Sequence, residues 1–376
     1  MKCDIIIPVW NQAECTRRCV ESVKKNTRYP YRLILIDNGS ESETGDYLAR
    51  LASDSANILL IKNRENLGFI KATNQGLEAS DAPYACLMNN DAEATPGWLE
   101  TMVAVAESDN GIGLVNPRSG PPGKEKSFFS SRRRYIETNQ CMGYCMLIKR
   151  EVLEKIGRLD EAFGVGGFDD TDFSKRAHMA GYKSVCAKDA CVYHKWHTSF
   201  NEAGGREESV RENEAIFFNK WGRYLRIGYP IIGIEQEGFL SDMKTSLGLA
   251  REWNWVHAWL AMDKSAKTRL EKLDLPEHQS LRVFGMSGIR PIFCIEVLFR
   301  LIERRMKKRK SFDAVVVSDK RLFNTLMLFR GFFLTPVFYI TGRGEASSPD
   351  DGGNVEAFWR ERARSIADTV TKGRES

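Results

Sequence analysis

Short apolar runs alternate with segments of helical spacing through the first part of the chain. The apolar runs are rich in β-branched side chains and are Asp4–Val9, Tyr31–Ile36, Asn57–Ile61 and Tyr84–Met88. Strands that are apolar on both faces are typical of parallel sheets covered by helices on each side. The alternation therefore predicts an α/β fold, with a mostly parallel, Rossmann-like sheet and helices on both faces.

Polar side chains follow the second and fourth of these runs. Asp37 comes directly after the second run, and Asn89-Asn90-Asp91 come directly after the fourth. Carboxyl ends of parallel strands meet at one edge of the sheet, which is where ligands of open α/β folds usually bind. An acidic cluster there is able to hold a hard divalent cation together with a nucleotide's phosphates. The alternative for residues 87–98 is an Asx turn that leads into a helix.

A second acidic stretch, Phe163–Asp172, contains Asp169, Asp170 and Asp172. Three carboxylates within four residues repel one another unless a metal, hydrogen bonds or a helix N-terminus offsets the repulsion. A helix is predicted over 173–179, so one of these residues could serve only as its N-cap. The residues alone leave a catalytic and a capping role open.

Composition bounds the class of protein. The chain has 376 residues, 42% of them hydrophobic and 28% charged, which predicts a soluble protein of two or three domains. A net charge of +5 is too small to indicate a nucleic-acid partner, and none is expected. No signal-peptide pattern and no membrane-spanning apolar run is present in the sequence. The nine cysteines lack paired metal spacing, so we expect reduced thiols and a cytoplasmic location.

The first turn after a strand, Pro8-Val9-Trp10-Asn11, carries no glycine. Glycines in that turn let the backbone approach a pyrophosphate in dinucleotide-binding folds. Their absence argues against an NAD-dependent enzyme. It also argues against a nucleotidyltransferase of the sugar-nucleotide pyrophosphorylase type, which has a glycine-rich opening.

Five stretches together resemble the family 2 glycosyltransferases. They are IIIPVWN, LILIDNGS, NLGFIKATNQGL, LMNNDAEATPGWL and GGFDDTDFSKRAHMAGYK, and their order and spacing match the family over about residues 1–225. The rhamnosyltransferase-like branch is the most similar, because N-N-D stands in place of D-x-D. The resemblance implies a GT-A fold, inversion at the anomeric carbon, Mn²⁺ or Mg²⁺, and a UDP-, dTDP- or GDP-sugar donor.

The resemblance also implies which residues bind the nucleotide sugar. These positions are Pro8, Val9, Asp37, Asn66, Lys71, Asn89 and Asn90. Asp37 matches the family's base-recognising Asp, with Pro8 and Val9 lining the base. Asp91 takes the metal-ligand position of the D-x-D motif, and Asn89 takes the sugar or ribose contact. The carboxylate lost at Asn89 predicts either a lower affinity for the metal or a metal that is dispensable.

The resemblance implies two further roles, a general base and an additional metal or diphosphate ligand. Inverting transfer needs a general base for the acceptor hydroxyl, and the family places it at the Asp of an E-D pair, which Asp169-Asp170 matches. Asp170 is then the base, and Asp169 replaces the Glu with a shorter side chain. His194 follows a strand predicted over 183–193 and aligns with an additional metal or diphosphate ligand, with His197 in reserve. An isolated histidine there would usually be structural.

The remaining segments are less specific. Cys141–Ile148 is predicted as a strand and Phe239–Leu260 as a helix. Residues 226–345 are expected to form a helical or α/β accessory region, with Phe312–Ser318 as a buried strand that pairs with Pro336–Thr341. This region faintly resembles part of a GT-B-like unit. Residues 346–376 are expected to be a linker and a terminal helix.

One segment suggests weak peripheral association with the inner face of a membrane. The first half of residues 292–310 is apolar and the second half is basic. In this hypothesis the basic end binds anionic lipid headgroups. The apolar contacts with the membrane are expected from Ile292, Phe293, Ile295, Leu298, Phe299 and Ile302. The structural alternative is that this apolar half packs on the strand at 312–318.

We therefore expect an inverting, metal-assisted hexosyl- or rhamnosyltransferase with Asp170 as its base. Its acceptor would be a glycan or a lipid-linked glycan of cell-envelope polysaccharide biosynthesis. The alternative is a non-catalytic module that binds nucleotide sugars or acts as a scaffold in a polysaccharide assembly system. The departures from the family pattern at Asn89 and Asp169 keep this alternative open.

Overall fold

The computed structural model describes residues 2–120, 131–194, 206–233, 238–262, 270, 272–307 and 311–340. They form two compact units. Residues 2–120 and 134–221 make the N-terminal unit, and the remaining described residues make the C-terminal unit. The expected linker and terminal helix over 346–376 lie outside the described residues, as do His197 and residues 308–310.

The N-terminal unit contains one large sheet. Its strands are β1 (Cys3–Val9), β2 (Tyr31–Asn38), β3 (Ile58–Asn63), β4 (Tyr84–Met88), β5 (Ala92–Ala94), β6 (Ile112–Arg118), β7 (Tyr135–Thr138), β8 (Cys145–Lys149) and β9 (Lys183–His194). The strand order is β3-β2-β1-β4-β8-β6-β9-β5, and β7 also pairs with β9. Strands β5, β7 and β8 run against the direction of the others. The predicted mostly parallel α/β sheet is thereby confirmed.

Helices cover this sheet on both faces, as predicted. They are α1 (Ala13–Asn26), α2 (Ser42–Ser53), α3 (Phe69–Glu78), α4 (Trp98–Glu107), α5 (Arg150–Ile156), α6 (Asp169–Met179) and α7 (Arg206–Trp221). Side chains alternate along β1, so Ile5 and Ile7 join the core formed with α1, α2 and α4. Ile6 points the other way, towards Gly76 of α3. The fully buried Trp98 of α4 adds a hydrogen bond from its indole N–H to Thr27 Oγ1 at 2.8 Å.

Two predicted boundaries in this unit were wrong. The strand predicted over Cys141–Ile148 begins only at Cys145, because the side chain of Asn116 bonds both the N–H and the carbonyl of Met142. The helix predicted from residue 173 begins at Asp169. Its first turn therefore carries all three carboxylates of the second acidic stretch, where the helix dipole favours negative charge.

The C-terminal unit has its own fully parallel sheet. Its strands are β10 (Arg226–Ile231), β11 (Trp255–Met262), β12 (Leu281–Ser287), β13 (Ala314–Val317) and β14 (Val337–Tyr339). They lie in the order β12-β11-β10-β13-β14, which is a doubly wound order with its switch point between β10 and β13. Helices α8 (Phe239–Arg251), α9 (Arg290–Met306), α10 (Lys320–Leu328) and α11 (Arg330–Phe333) complete it. The predicted pairing of the strands near 312–318 and 336–341 is confirmed.

The single helix predicted over Phe239–Leu260 was wrong. Helix α8 ends at Arg251, Trp253 turns the chain at a φ of 69°, and the apolar run that follows is strand β11. A short apolar run fits a buried strand as well as a buried helix, so periodicity does not separate them. Among the described residues, no helix is both long and apolar enough to cross a bilayer.

Candidate active site

The carboxyl ends of β1, β2 and β4 form one edge of the N-terminal sheet. Val9 lies beside Asp37 in the register of β1 and β2, and β4 pairs with β1 on its other side. Asp37 is buried, and its Oδ1 accepts the N–H of Ser40 at 3.0 Å. Neighbouring strands are about 4.8 Å apart, so Asp37 and the residues after β4 lie roughly 10 Å from each other.

Asn38 links the loops at the part of this edge where the nucleotide-sugar donor is expected. Its amide donates to Asn66 Oδ1 at 2.8 Å, and its Oδ1 accepts the N–H of Leu67 at 3.1 Å. The next residue, Gly39, has a φ of +75°, and a Cβ there would lie 2.5 Å from the carbonyl carbon of Glu65. The loops after β2 and β3 are therefore packed against each other, and only glycine fits at position 39.

The residues predicted to bind the nucleotide sugar differ in where the structure places them. Asp37 and Asn66 are brought together by Asn38, while Pro8 is half-buried at the end of β1. The side chain of Val9 is buried in the apolar core, so only its backbone is available at the edge. Lys71 is exposed on the first turn of α3.

Asn90 also points away from the edge. Its side chain is buried, and its amide donates to Thr16 Oγ1 of α1 at 3.1 Å. This contact holds the turn after β4 against α1.

Asn89, Asp91 and His194 form a compact cluster, referred to below as the Asp91 cluster. His194 Nε2 lies 3.2 Å from Asp91 Oδ1 and 3.3 Å from Asn89 Nδ2. The short strand β5 creates this proximity, because it begins directly after Asp91 and pairs Ala92 with His194. The imidazole stacks on the ring of Tyr144, with 4.9 Å between centroids. The structure thus brings together Asp91 and His194, the two residues predicted as metal ligands.

The cluster is chemically suited to a divalent cation shared with a ligand. Two ligands of one octahedral ion at 2.0–2.1 Å lie about 3 Å apart, which is close to the separation of Asp91 Oδ1 and His194 Nε2. Asn89 Oδ1 is buried and has no hydrogen-bond donor among the described residues. A buried carbonyl oxygen left in this state costs about 1–3 kcal/mol, so a bound group is favoured there.

The protein offers only part of a coordination shell. Within the described part of the chain, no group of three or more His, Cys, Asp or Glu side chains is arranged to hold a metal. A cation held by Asp91 and His194 would therefore take its other ligands from phosphate oxygens and water, as Mg²⁺ commonly does in nucleotide sites.

Asp170 lies in the first turn of α6 with both carboxylate oxygens engaged. Its Oδ2 accepts the N–H of Gly143 at 2.9 Å, and its Oδ1 accepts from Gln140 Nε2 at 3.3 Å and Thr171 Oγ1 at 3.2 Å. Burial raises the pKa of Asp170 above its ordinary value, although these hydrogen bonds oppose the rise. The group is consequently a stronger base than an exposed aspartate.

Asp169 is more deeply buried than its neighbour. Burial, followed by the charge of Asp170, raises the pKa of Asp169 to about 7. Its Oδ1 accepts the N–H of Gly167 at 2.8 Å, which fixes the turn before α6.

The loop between β7 and β8 connects Asp170 to the Asp91 cluster. Gly143 donates to Asp170, and the carbonyl of the next residue, Tyr144, accepts the N–H of Asn89 at 2.9 Å. Tyr144 also donates its hydroxyl proton to the carbonyl of Pro117 at 3.0 Å. Two consecutive residues thus hold the two acidic stretches next to each other, although they are far apart in sequence.

Asp172 has a different role from its neighbours. It is fully buried, and its oxygens accept from Arg176 Nε, Trp221 Nε1 and Lys220 Nζ at 2.8–2.9 Å. These contacts join α6 to α7.

Comparison with known proteins concerns mainly the first part of the chain. A model described as glycosyl transferase family 2 matches residues 4–157. This part of the chain belongs to glycosyl transferase family 2. The predicted family is confirmed, and the GT-A class expected with it agrees with the sheet and helices described above.

Two relatives illustrate how far the likeness extends. The chain is 25% identical over 244 residues to an uncharacterised protein of Sinorhizobium fredii, covering 57% of this chain and 27% of that protein. It is 27% identical over 203 residues to the glycosyltransferase AglE of Haloferax volcanii, covering 50% of this chain and 66% of the relative. The match therefore spans less than two thirds of either relative.

Among solved structures, a mannosyltransferase from Pyrobaculum calidifontis in complex with GDP-Man and Mn²⁺ superposes with a TM-score of 0.49. The sequence identity is 18%, and the superposition covers 67% of this chain and 71% of the other.

Sequence reasoning missed several residues of the candidate site. They are Asn38, Asn116, Gln140 and Tyr144. Asn38 and Asn116 share one signal, a polar residue near the end of an apolar strand. Tyr144 lies within an apolar run, so nothing in its neighbourhood marks it.

Proposed function

We propose that this protein is an inverting glycosyltransferase that moves a hexosyl or rhamnosyl group from a nucleotide-sugar donor to a glycan or lipid-linked acceptor. The observation that carries the proposal is the Gly143–Tyr144 connection. Through this connection, a partly exposed carboxylate with a raised pKa lies beside a cluster suited to a cation and a diphosphate, which supports the proposal.

In this proposal Asp170 acts as the general base. Its Oδ2 accepts the Gly143 N–H, and a carboxylate oxygen has a second lone pair that can accept the hydroxyl of an acceptor. The proton of that hydroxyl moves to Asp170 while the hydroxyl oxygen attacks the anomeric carbon, and the bond from that carbon to the diphosphate oxygen breaks to release the nucleoside diphosphate. Gly143 and Gln140 hold the carboxylate in a fixed orientation throughout.

The donor lies along the sheet edge in the same proposal. Asp37 contacts the base or ribose, and Asn89 contacts the ribose or sugar. Asp91 and His194 would hold Mn²⁺ or Mg²⁺, which when bound neutralises charge on the departing nucleoside diphosphate. The span of roughly 10 Å from Asp37 to Asn89 across β1 suits an extended nucleotide.

Replacement of Asp170 by Asn tests the assignment. General bases typically contribute about 10²–10⁴-fold to rate, so we expect D170N to lose turnover by that factor and to retain donor binding. Turnover would be measured with UDP-, dTDP- and GDP-sugars and Mn²⁺, and binding by calorimetry with the active donor. D189N, which removes an exposed carboxylate of β9, serves as the matched control and should behave as wild type.

Two results would count against the proposal. Wild-type turnover in D170N would remove Asp170 from its role. Donor binding by the wild-type protein without turnover, under every acceptor and metal tried, would favour the non-catalytic binding module.

A further inference from the structure

Helix α9 of the C-terminal unit packs on its own sheet through one face. Phe293, Val297 and Leu301 follow one another at four-residue spacing and are buried. They share an apolar core with Val315 and Val317 of β13. The structural alternative raised for this segment is therefore present, and the membrane contact assigned to Phe293 was wrong.

The opposite face of the same helix is also apolar, and it is exposed. Its residues are Ile292, Ile295, Phe299 and Met306, with exposed fractions of 44%, 65%, 66% and 78%. At 100° per residue they lie within one stripe, turned away from the buried face. Because a surface helix normally has a single apolar face, which packs on the core, this second apolar stripe is suited to a partner surface.

A second exposed apolar segment lies beside this stripe, where α10 meets α11. It consists of Leu328, Phe329, Phe332 and Leu334, with exposed fractions of 83%, 42%, 63% and 64%. Arg305 of α9 donates to the carbonyl of Phe332 at 2.6 Å, which joins the two segments. Together they form what we call the apolar surface of the C-terminal unit, and exposed apolar surface of this extent marks an interaction site.

Exposed positive charge borders the apolar surface. Arg305 and Lys307 lie in and just after the last turn of α9, and Arg330 begins α11. The acidic side chain nearest to them in sequence is Glu303, which pairs with Lys307. The border is therefore net basic.

We propose that the apolar surface docks this protein on an anionic lipid bilayer, with Phe299 and Phe332 entering the interface. Aromatic and aliphatic side chains next to Lys and Arg match the apolar and anionic layers of such a membrane. A two-fold contact with a second copy fits less well, because it would bring the basic borders of two molecules together. The proposal concerns a surface of the C-terminal unit and does not depend on the sugar-transfer chemistry.

Vesicle sedimentation of the full-length chain tests the proposal. We expect binding to phosphatidylglycerol-containing vesicles at low salt, little binding to pure phosphatidylcholine, and release at high salt. The double variant F299S/F332S should lose binding by about tenfold or more. K307Q/R330Q should reduce it by a similar factor. Circular dichroism should show unchanged folding, since all four side chains are exposed.

Matched controls lie on α8, which packs on the other face of the same sheet. Leu240 and Lys244 are exposed there, so L240S and K244Q should bind vesicles as wild type does. Turnover with a water-soluble acceptor should be unchanged in every variant, which separates this proposal from the proposed function.

Several results would overturn the docking proposal. These are equal binding to neutral and anionic vesicles, or unchanged binding by F299S/F332S. A wild-type dimer in sedimentation velocity that F299S/F332S converts to a monomer would instead assign the surface to a second copy. Binding seen only after removal of residues 341–376 would assign it to that segment.

Discussion

At the scale of single residues, Asp169 and Asp170 are adjacent in sequence but differ in surroundings. Asp170 is partly exposed and receives three side-chain or loop donors from residues 140, 143 and 171. Asp169 is buried, and its pKa of about 7 is set first by burial and then by its neighbour's charge. The more accessible carboxylate is suited to proton transfer, and the buried one to holding the turn before α6.

The raised pKa of Asp169 predicts a pH dependence of stability. Its ordinary pKa is 3.8 and its folded pKa is about 7, so the native state binds more protons than the unfolded state between these values. The free energy of unfolding should therefore fall as pH rises from about 4 to about 7, by roughly 4 kcal/mol at most. Urea unfolding across this range should show the decline in wild type and a shallower one in D169N. Parallel profiles for the two proteins would contradict the prediction, and D189N is the control.

Residue-level reasoning proposes candidate chemical groups more readily than it finds the residues that position them. Asp91, His194 and Asp170 were predicted because carboxylates and imidazoles are recognisable in a family motif. Asn116 and Tyr144 position that chemistry through backbone hydrogen bonds and ring stacking. Such contacts depend on which loops meet in three dimensions, and a single sequence does not encode that in a local pattern.

At the scale of elements, α6 and α7 are joined through the buried Asp172. Replacing Asp172 by Asn removes this negative charge and should destabilise the N-terminal unit. The new amide of D172N presents an N–H to the guanidinium of Arg176, which is itself a donor. Breaking a buried pair typically costs 3–5 kcal/mol, and the partial exposure of Lys220 favours a value of about 3 kcal/mol. D160N, which alters the exposed pair of Asp160 with Lys220, should cost less than about 1 kcal/mol.

Urea unfolding of both variants at neutral pH provides the measurement. Turnover of D172N at low temperature should stay near wild type, since Asp172 contacts helices and not the proposed site. A loss of turnover without a loss of stability would assign Asp172 to the chemistry instead.

Helices and strands were predictable where the apolar or amphipathic pattern ran over many residues and where their core contacts lay close together in sequence. Strands β1, β2, β3 and β4 are apolar runs separated by amphipathic helices, and the structure has them within two residues of their predicted ends. Strand β5 was not predicted, because three residues carry no periodicity. It is nevertheless the element that pairs with β9 and places His194 beside Asp91. Long-range pairing, not local propensity, determines that strand.

At the scale of the whole molecule, each unit has a core of its own. The core that contains Ile5 and Trp98 draws only on the N-terminal unit, and those that contain Val316 and Phe293 draw only on the C-terminal unit. Two cores of this kind do not require a single two-state transition. A substitution in one core, or a ligand of one site, should therefore act on one unit's stability first.

Differential scanning calorimetry of the full chain checks this last expectation. Mn²⁺ with a nucleoside diphosphate should raise only the transition that D172N lowers, because both act on the N-terminal unit and a bound ligand stabilises the state that binds it. V316A, which removes two buried methyl groups from the parallel sheet of the C-terminal unit, should lower the other transition, at a cost of about 2 kcal/mol. If all three changes displace one common transition equally, the two cores unfold as one cooperative body. In that case the nucleotide site would be coupled energetically to the unit that carries the apolar surface.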